Sequence, residues 1–331
     1  MGILPSTDRG VAPPPAGGPG AGEAKMIRSL DDFERQAQEK GPKKMAVLAP
    51  EDEEFMLAVK KSWERGYIEP VLIGDEQRIA QAAAKAAFDL SPFAKITGGD
   101  LQGISDLGIQ MLFAGTAPIA GKGQIPTSYI YRSIIRAEAK AGSGMTVSVV
   151  TFWEIPGCDH LVAFTDTGVN IIPDLKAKGE IIKNAVFAYR LLGFPRPKIA
   201  VLSGQREVGG RLASYEDYEA LQKAAAAGDF GPCEIVAATS FTEIFLGGRD
   251  RKMDYRRLPE AALPHILLVP CLDTGNIICK LDFFLDVNRS SLVATSRGPV
   301  CIPARSDFSD NIVQQIAMCV VLADRMGKEV L

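Results

Sequence analysis

Short apolar runs alternate with helical stretches along most of this chain, and that alternation limits the fold more than any other feature. Lys44 to Ala49 (KMAVLA) has the length and composition of a buried strand. Pro50 and the acids Glu51 to Glu54 then open a helix through Trp63, with negative charge in the first turn, where the helix dipole favours it. Tyr67 to Gly74 (YIEPVLIG) is a second strand, and residues 75–87 form an alanine-rich helix. A further helix, residues 26–40, precedes the first strand. Strand, helix, strand, helix in short order predicts an α/β protein with a parallel sheet.

The pattern is fullest in residues 159–186. Leu161 to Phe164 is a short apolar run, Thr165-Asp166-Thr167-Gly168 a polar turn, and a further short run reaches Pro173. From Asp174 a helix follows, with Leu175, Ile181, Ile182 and Val186 at helical spacing on one face. In an open parallel sheet ligands sit beyond the carboxyl ends of strands, so Thr165, Asp166 and Asn170 are candidates for a site. Asp166 and Asp174 equally suit a turn and a helix cap. Strands are also expected at Met145 to Phe152, Pro197 to Ser203, His265 to Pro270, Ser291 to Ser296 and Val300 to Ile302. Helices are expected at 214–227, from the polar Cys271 to Asn276 loop to about Asp286, and from Asn311 to Met326 after a capping segment, Arg305 to Asp310. Gly204 to Gly210 is a polar loop, and residues 228–260 are irregular and basic. Their cluster of Arg249, Arg251, Lys252, Arg256 and Arg257 suits a solvated loop, an oligomer contact or a seat for an anionic tail.

A chain of 331 residues has room for a large core and about two domains. A net charge of −3 gives no global case for nucleic acid. No apolar run reaches the ~18 residues of a membrane helix. Six scattered cysteines without a CxxC pair, and only His160 and His265 to join them, argue against structural zinc and fit reduced thiols in a cytoplasm. Residues 1–25, with six Gly and five Pro, are expected to be a disordered extension. They lack the apolar stretch of a secretory signal. The first six residues match a loose myristoylation pattern, but without a polybasic partner.

Several motifs narrow the chemistry. Ile109 to Ala114 is apolar enough for a strand, and Gly115 to Gly123 behind it nearly matches a phosphate-binding P-loop. The spacer is one residue too long, and Gly123 stands where a magnesium-binding Ser/Thr belongs, so a nucleotide-hydrolysing P-loop is rejected. What survives is Lys122 in a glycine-rich segment, followed by Thr127 at the start of a helix through Arg132 and Arg136, and helix N-termini bind anions. The alternative is a solvated lysine in a flexible loop. Asp-Thr-Gly occurs at 166–168 and again at 273–275, which suggests the paired carboxylates of an aspartic protease. That fold is all-β and does not fit this alternation; the repeat implies instead that several strands end in similar polar loops. No GxGxxG follows a strand, and two histidines do not support a Ser-His-Asp claim. Cations recur after strands at Lys122, Arg132, Lys280 and Arg305. A phosphate-like substrate is the natural inference, because arginine's fork matches phosphate oxygens.

From about Lys43 onward the chain resembles the phosphate acetyltransferase and phosphate butyryltransferase family. The matching segments, in order, are Glu51-Asp52 through Ile73-Gly74-Asp75, Lys122-Gly123 with Thr127 and Arg132, and Thr165-Asp166 with Asn170, Pro173-Asp174, Lys178 and Asn184-Ala185. Then come Lys198 to Ser203, Gly275-Asn276 with Lys280, and Arg305-Ser306-Asp307, which resembles the butyryl branch. The resemblance implies two α/β domains with a cleft, in an isocitrate/isopropylmalate dehydrogenase-like fold with parallel or mixed sheets. One would comprise about 26–155 plus 290–331, the other about 156–289. It implies reversible acyl transfer between an acyl phosphate and coenzyme A, with coenzyme A as substrate, no tightly bound cofactor, no metal, and a homodimer. By that resemblance Arg305 holds phosphate and stabilises the transition state. Lys122, Gly123, Thr127 and Arg132 form a phosphoryl pocket, and Thr165, Asp166, Asn170, Gly275, Asn276 and Lys280 line the substrate site. Asp307 is expected to orient Arg305, to accept the thiol proton, or to cap the last helix. Ala304, Cys271 and Cys233 to Thr239 depart from the family pattern. These departures leave open a relative that binds coenzyme A or phosphate without turnover.

Overall fold

The computed structural model describes residues 25–204, 212–246, 263–285 and 287–328. The expected extension up to residue 24, most of the loop at 204–210 and the basic cluster at 249–257 lie outside them. The first half alternates as the apolar runs predict. Helix α1 (Leu30–Lys40) is followed by β1 (Lys43–Leu48), α2 (Glu53–Glu64), β2 (Ile68–Gly74), α3 (Glu76–Lys85) and β3 (Ala94–Thr97). Aspartates supply the caps: Asp52 and Asp75 each accept a backbone N–H in the first turn of α2 and α3.

The next segment differs from expectation. Residues 101–113, which include the run expected to be a strand, form helix α4 (Leu101–Phe113), capped by Asp100. The strand is β4 (Ile119–Lys122), in the stretch expected to be a glycine-rich loop. A largely apolar run of six residues does not distinguish a short strand from one side of a buried helix. Gly108 decides the packing, because a Cβ there would lie 2.1 Å from a Leu48 methyl.

Helix α5 (Thr127–Ala141) leads to β5 (Val149–Glu154), β6 (Val162–Thr165), α6 (Leu175–Leu191) and β7 (Lys198–Val201). Then come α7 (Ala213–Ala226), β8 (Glu234–Ile235), α8 (Phe241–Leu246), β9 (Ile266–Leu268), α9 (Leu272–Cys279) and α10 (Asp282–Leu285). The chain closes with β10 (Asn288–Ala294), β11 (Pro299–Cys301) and α11 (Ser309–Met326). Within α6, Ile181, Ile182 and Val186 are buried as the spacing predicts, but Leu175 is exposed. The second Asp-Thr-Gly forms the first turn of α9 and not a loop.

All the strands join one sheet in the order β3-β2-β1-β4-β11-β10-β5-β6-β9-β7-β8. Both outer parts are parallel, and the antiparallel pairs among the described residues are β11/β10, β10/β5 and β5/β6. The division expected near residue 155 falls between β5 and β6, and the one near 290 falls inside β10.

Strand alternation sends side chains to two faces, and the faces differ. On one, Met45, Val47, Ile119, Cys301, Leu292, Val150, Phe152, Ala163, Leu268 and Val201 belong to a single core, closed by α1, α2, α6 and α11. On the other, Ala46, Leu48, Ala120, Val293 and Val149 pack under α4 and α5. Trp153, Phe164, Leu267 and Ala200 form a separate cluster further along. Between these two clusters stand Thr151 and Ser291, paired across β5 and β10, with hydroxyls 3.0 Å apart.

Candidate active site

The break in that second face is a cleft. A cavity of about 270 Å³ opens over Thr151 and Ser291, with Val149, Leu292 and Val293 in its floor. Thr127 and Tyr131 of α5, with Ile302, Pro303 and Ala304 after β11, form one wall. Thr167 and Gly168, with Asn276, Cys279 and Lys280, form the other. Larger hollows lie between α3 and β3, between α4 and α5, and between α5 and Val169-Asn170, but none of these includes residues of α9 or β10.

A cationic corner borders the cleft where β4 and β11 end. Lys122 closes β4 and is only 8% exposed, so it is not the solvated lysine of a flexible loop. Its ammonium donates to the Gly123 carbonyl (3.3 Å), and no carboxylate is bonded to it among the described residues. Burial pushes its pKa below the ordinary lysine value, and the positive charge of Arg305 pushes it the same way. Arg305 lies exposed in the turn after β11 and has no ion pair among the described residues. Gly123 is held by geometry: a Cβ there would meet the Ala49 carbonyl at 2.3 Å. Beside this corner α5 begins without a side-chain cap.

Asp307 takes a different partner from the one expected. Its carboxylate accepts the Ala304 N–H (2.9 Å) and Gln315 Nε2 (2.8 Å), and faces Arg289 NH2 at 3.3 Å. Arg289 also donates from Nε to Asp282. Asp307 therefore pairs with Arg289 and not with Arg305. The residue preceding α11 is Phe308, with no side-chain cap.

The loop after β6 is built on Asp166, which is 2% exposed. One of its oxygens accepts the Val149 (2.9 Å) and Gly168 (3.0 Å) N–H groups, and the other accepts the Asn170 backbone N–H (2.8 Å) and Asn170 Nδ2 (2.6 Å). Asn170 spends its amide on Asp166 and the Val147 carbonyl, and Thr165 donates to the Val149 carbonyl. These three residues shape the loop and leave Thr167 and Gly168 to face the cleft. Thr167 meets Thr151, hydroxyl to hydroxyl, at 2.8 Å. Gly275 lets α9 lie on this loop, since a Cβ there would be 2.7 Å from the Asp166 carbonyl oxygen. Asn276 and Lys280 consequently face the cleft. Arg132 does not: it donates to Gln102 (3.0 Å) and stacks on Tyr129.

The overall fold is similar to that of solved structures. A phosphotransacetylase from Streptococcus pyogenes superposes with a TM-score of 0.70 at 16% identity, covering 91% of this chain and 100% of that one. A branched-chain phosphotransacylase from Enterococcus faecalis V583 gives 0.67 at 19% identity, with 85% and 98% covered. In sequence, phosphate butyryltransferase of Clostridium acetobutylicum is 25% identical over 299 residues, which is 90% of this chain and 99% of that protein. The family described as Phosphate acetyl/butaryl transferase matches residues 101–228. The chain is similar to members of the phosphate acetyl/butyryl transferase family over about nine tenths of its length.

Some cleft residues carry little signal in the sequence. Arg289 precedes the stretch that reads as a strand, and only the β10 alternation Arg289, Ser291, Val293 marks it as facing the same way as the cleft. Thr151 is a polar interruption in VVTFWE. Tyr131 lines the cleft beside Gly168, and burial, with the Asp166 charge second, pushes its hydroxyl pKa up. Of the departures from the family pattern, Ala304 lines the cleft, Cys271 precedes α9, and Cys233 to Thr239 lie at and beyond β8 on the sheet's edge. One group of potential metal donors exists among the described residues. Cys158, Asp159 and His160 lie within 4.8 Å of one another, and Arg28 already pairs with Asp159. No helix among the described residues is long and apolar enough to cross a membrane.

Proposed function

We propose that this protein transfers a short acyl group reversibly between an acyl phosphate and coenzyme A. The observation that carries the reading is Lys122, a buried ammonium with no bonded carboxylate, next to Arg305 at the rim of the cleft. Two cations so placed call for a dianion. A phosphate there meets Lys122, the Arg305 fork and the uncapped start of α5 at Thr127.

The acyl group then extends over Val149, Val293 and Ile302, a floor that suits a short aliphatic chain in about 270 Å³. Its carbonyl finds O–H and N–H donors among Tyr131, Thr151, Ser291 and Asn276. Tyr131 keeps its proton throughout the physiological range, so it serves as a donor and not as a base. The thiol sulfur of coenzyme A attacks the acyl carbon. The C–S bond forms, the C–O bond to phosphorus breaks, and the thiol proton leaves with the phosphate. Charge developing on the leaving phosphate is met by Lys122 and Arg305, where fixed donors count most. The same reading divides the molecule at the cleft into two subdomains, 26–155 with 290–331 and 156–289, arranged as in isocitrate dehydrogenase-like enzymes.

A binding module without turnover is the second reading, favoured by the diversion of Arg132 to Gln102 and Tyr129. Against it, the altered segment 233–239 lies at the sheet's edge and not at the cleft. The deciding experiment is thioester formation from acetyl, propionyl and butyryl phosphate with coenzyme A. The transferase reading expects turnover, with the rate order naming the acyl preference. Folded protein that binds coenzyme A but forms no thioester from any of the three establishes the module instead.

A further inference from the structure

Arg289 forms ion pairs toward both walls of the cleft. It rises from β10 in the floor, on the same side as Ser291 and Val293. Its Nε donates to Asp282, two residues beyond Lys280 in one wall. Its NH2 faces Asp307, two residues beyond Arg305 in the other. All three side chains are nearly buried, at 9% exposed for Arg289, 13% for Asp282 and 8% for Asp307. Asp307 in turn closes the Arg305 turn on both sides: its carboxylate takes the Ala304 N–H, and its own N–H donates to the Ala304 carbonyl (3.1 Å). Gln315, 1% exposed in α11, braces the same oxygen.

We infer that Arg289 is a positioning residue that straps the two walls together and fixes where Arg305 is presented to a phosphate. The inference rests on the proposed reading of the cleft. Arg305 itself has no bond among the described residues, so its place is set by the turn 304–307, and Asp307 is what shapes that turn. A guanidinium holds two carboxylates at once in a fixed fork; a lysine ammonium on a flexible stem does so poorly, and a methionine not at all. Without the strap Asp282 and Asp307 are two unneutralised carboxylates on opposite walls, and they favour a wider cleft and a loosened turn.

The test compares wild type, Arg289→Met and Arg289→Lys in three measurements. The first is amide hydrogen exchange at Ala304 and Asp307. The second is inorganic phosphate affinity by titration. The third is the KM for acyl phosphate set against the KM for coenzyme A. In Arg289→Met the two amides should exchange at least about tenfold faster, and phosphate affinity should fall by on the order of 10- to 10²-fold, as small misplacements of a binding group do. The acyl phosphate KM should rise with it, the coenzyme A KM should hold, and Arg289→Lys should fall between. A general loss of structure would speed exchange in α11 and β1 as well, and Arg289→Lys carries the comparison if the methionine variant does not fold. Unchanged protection at 304 and 307, or unchanged phosphate affinity, in a folded variant overturns the inference while leaving the transferase reading intact. A wild type that turns over no acyl phosphate but binds phosphate removes the transferase reading alone, and the strap is then judged on exchange and affinity. A wild type that binds no phosphate overturns both.

Discussion

The two faces of the central sheet solve opposite problems with the same strands. One face is a largely apolar surface from β1 to β7, closed by α11 and its neighbours, to which β5 contributes Val150 and Phe152. The other is interrupted at its middle, where Thr151 and Ser291 replace the apolar pair that would have joined the two clusters. Polar residues at these positions deny a covering helix its apolar footing, so the gap remains open to solutes. The lesson is local: in a strand buried on one side, the outward residues alone decide whether a site exists, and they change it at small cost to the fold.

Substitutions on neighbouring residues separate the faces. Phe152→Ala, on the largely apolar face, should cost about 3–5 kcal/mol of stability in denaturant unfolding, the usual range for removing a buried aromatic side chain; a loss under ~1 kcal/mol would show that this face is not the stabilising one. Arg305→Ala should leave stability near wild type and cut turnover by on the order of 10²–10³, as when a transition-state donor is lost. Near-normal turnover would remove Arg305 from its assigned role.

Lys122→Met should lower phosphate affinity by roughly 10-fold or more, the worth of a charged hydrogen bond. It should not lower stability, because it deletes a buried charge that lacks a bonded counter-ion. The pH dependence follows from the depressed pKa. Lys122 is charged below that value and neutral above it. Once phosphate is a dianion, wild-type affinity should therefore fall as pH rises through a value below the ordinary lysine range, and the methionine variant should lose this limb of the titration curve. The smallest effect is expected from Thr151→Val, which forfeits the bonds to Thr167 and Ser291 for about 1 kcal/mol or less each in thermal unfolding. A cost as large as that of Phe152→Ala would mean that the two faces are not energetically distinct.

Much of this was legible in the sequence, for physical reasons that can be named. The alternation of β1, α2, β2 and α3 was plain because each run had the length, period and capping acid of its element. The 101–122 segment was misread because its composition suits a buried helix and a buried strand equally, and only packing against Leu48 selects between them. Within the site, Lys122, Arg132, Lys280 and Arg305 read as cations after strands; the structure brings Lys122 and Arg305 to one corner, places Lys280 in the other wall and turns Arg132 to Gln102. Thr165, Asp166 and Asn170 were found as a polar loop, but sequence does not tell a carboxylate that binds ligand from one that gathers its own backbone N–H groups. The pairing of Asp307 with Arg289, 18 residues earlier, depends on the antiparallel placement of β10 beside β11, which no local pattern encodes.

That placement also dictates an order of assembly. β4 is flanked on one side by β1 and on the other by β11, and β5 waits in the same way for β10. Both missing neighbours come from the last part of the chain. During synthesis the first half therefore carries two unsatisfied strand edges until the carboxyl-terminal segment emerges and threads between them, and open edges of this kind invite pairing with other chains. The corner that gathers Lys122 and Arg305 does not exist in any shorter nascent chain. A product that stops before β10 and β11 forfeits that corner and leaves the sheet unclosed together.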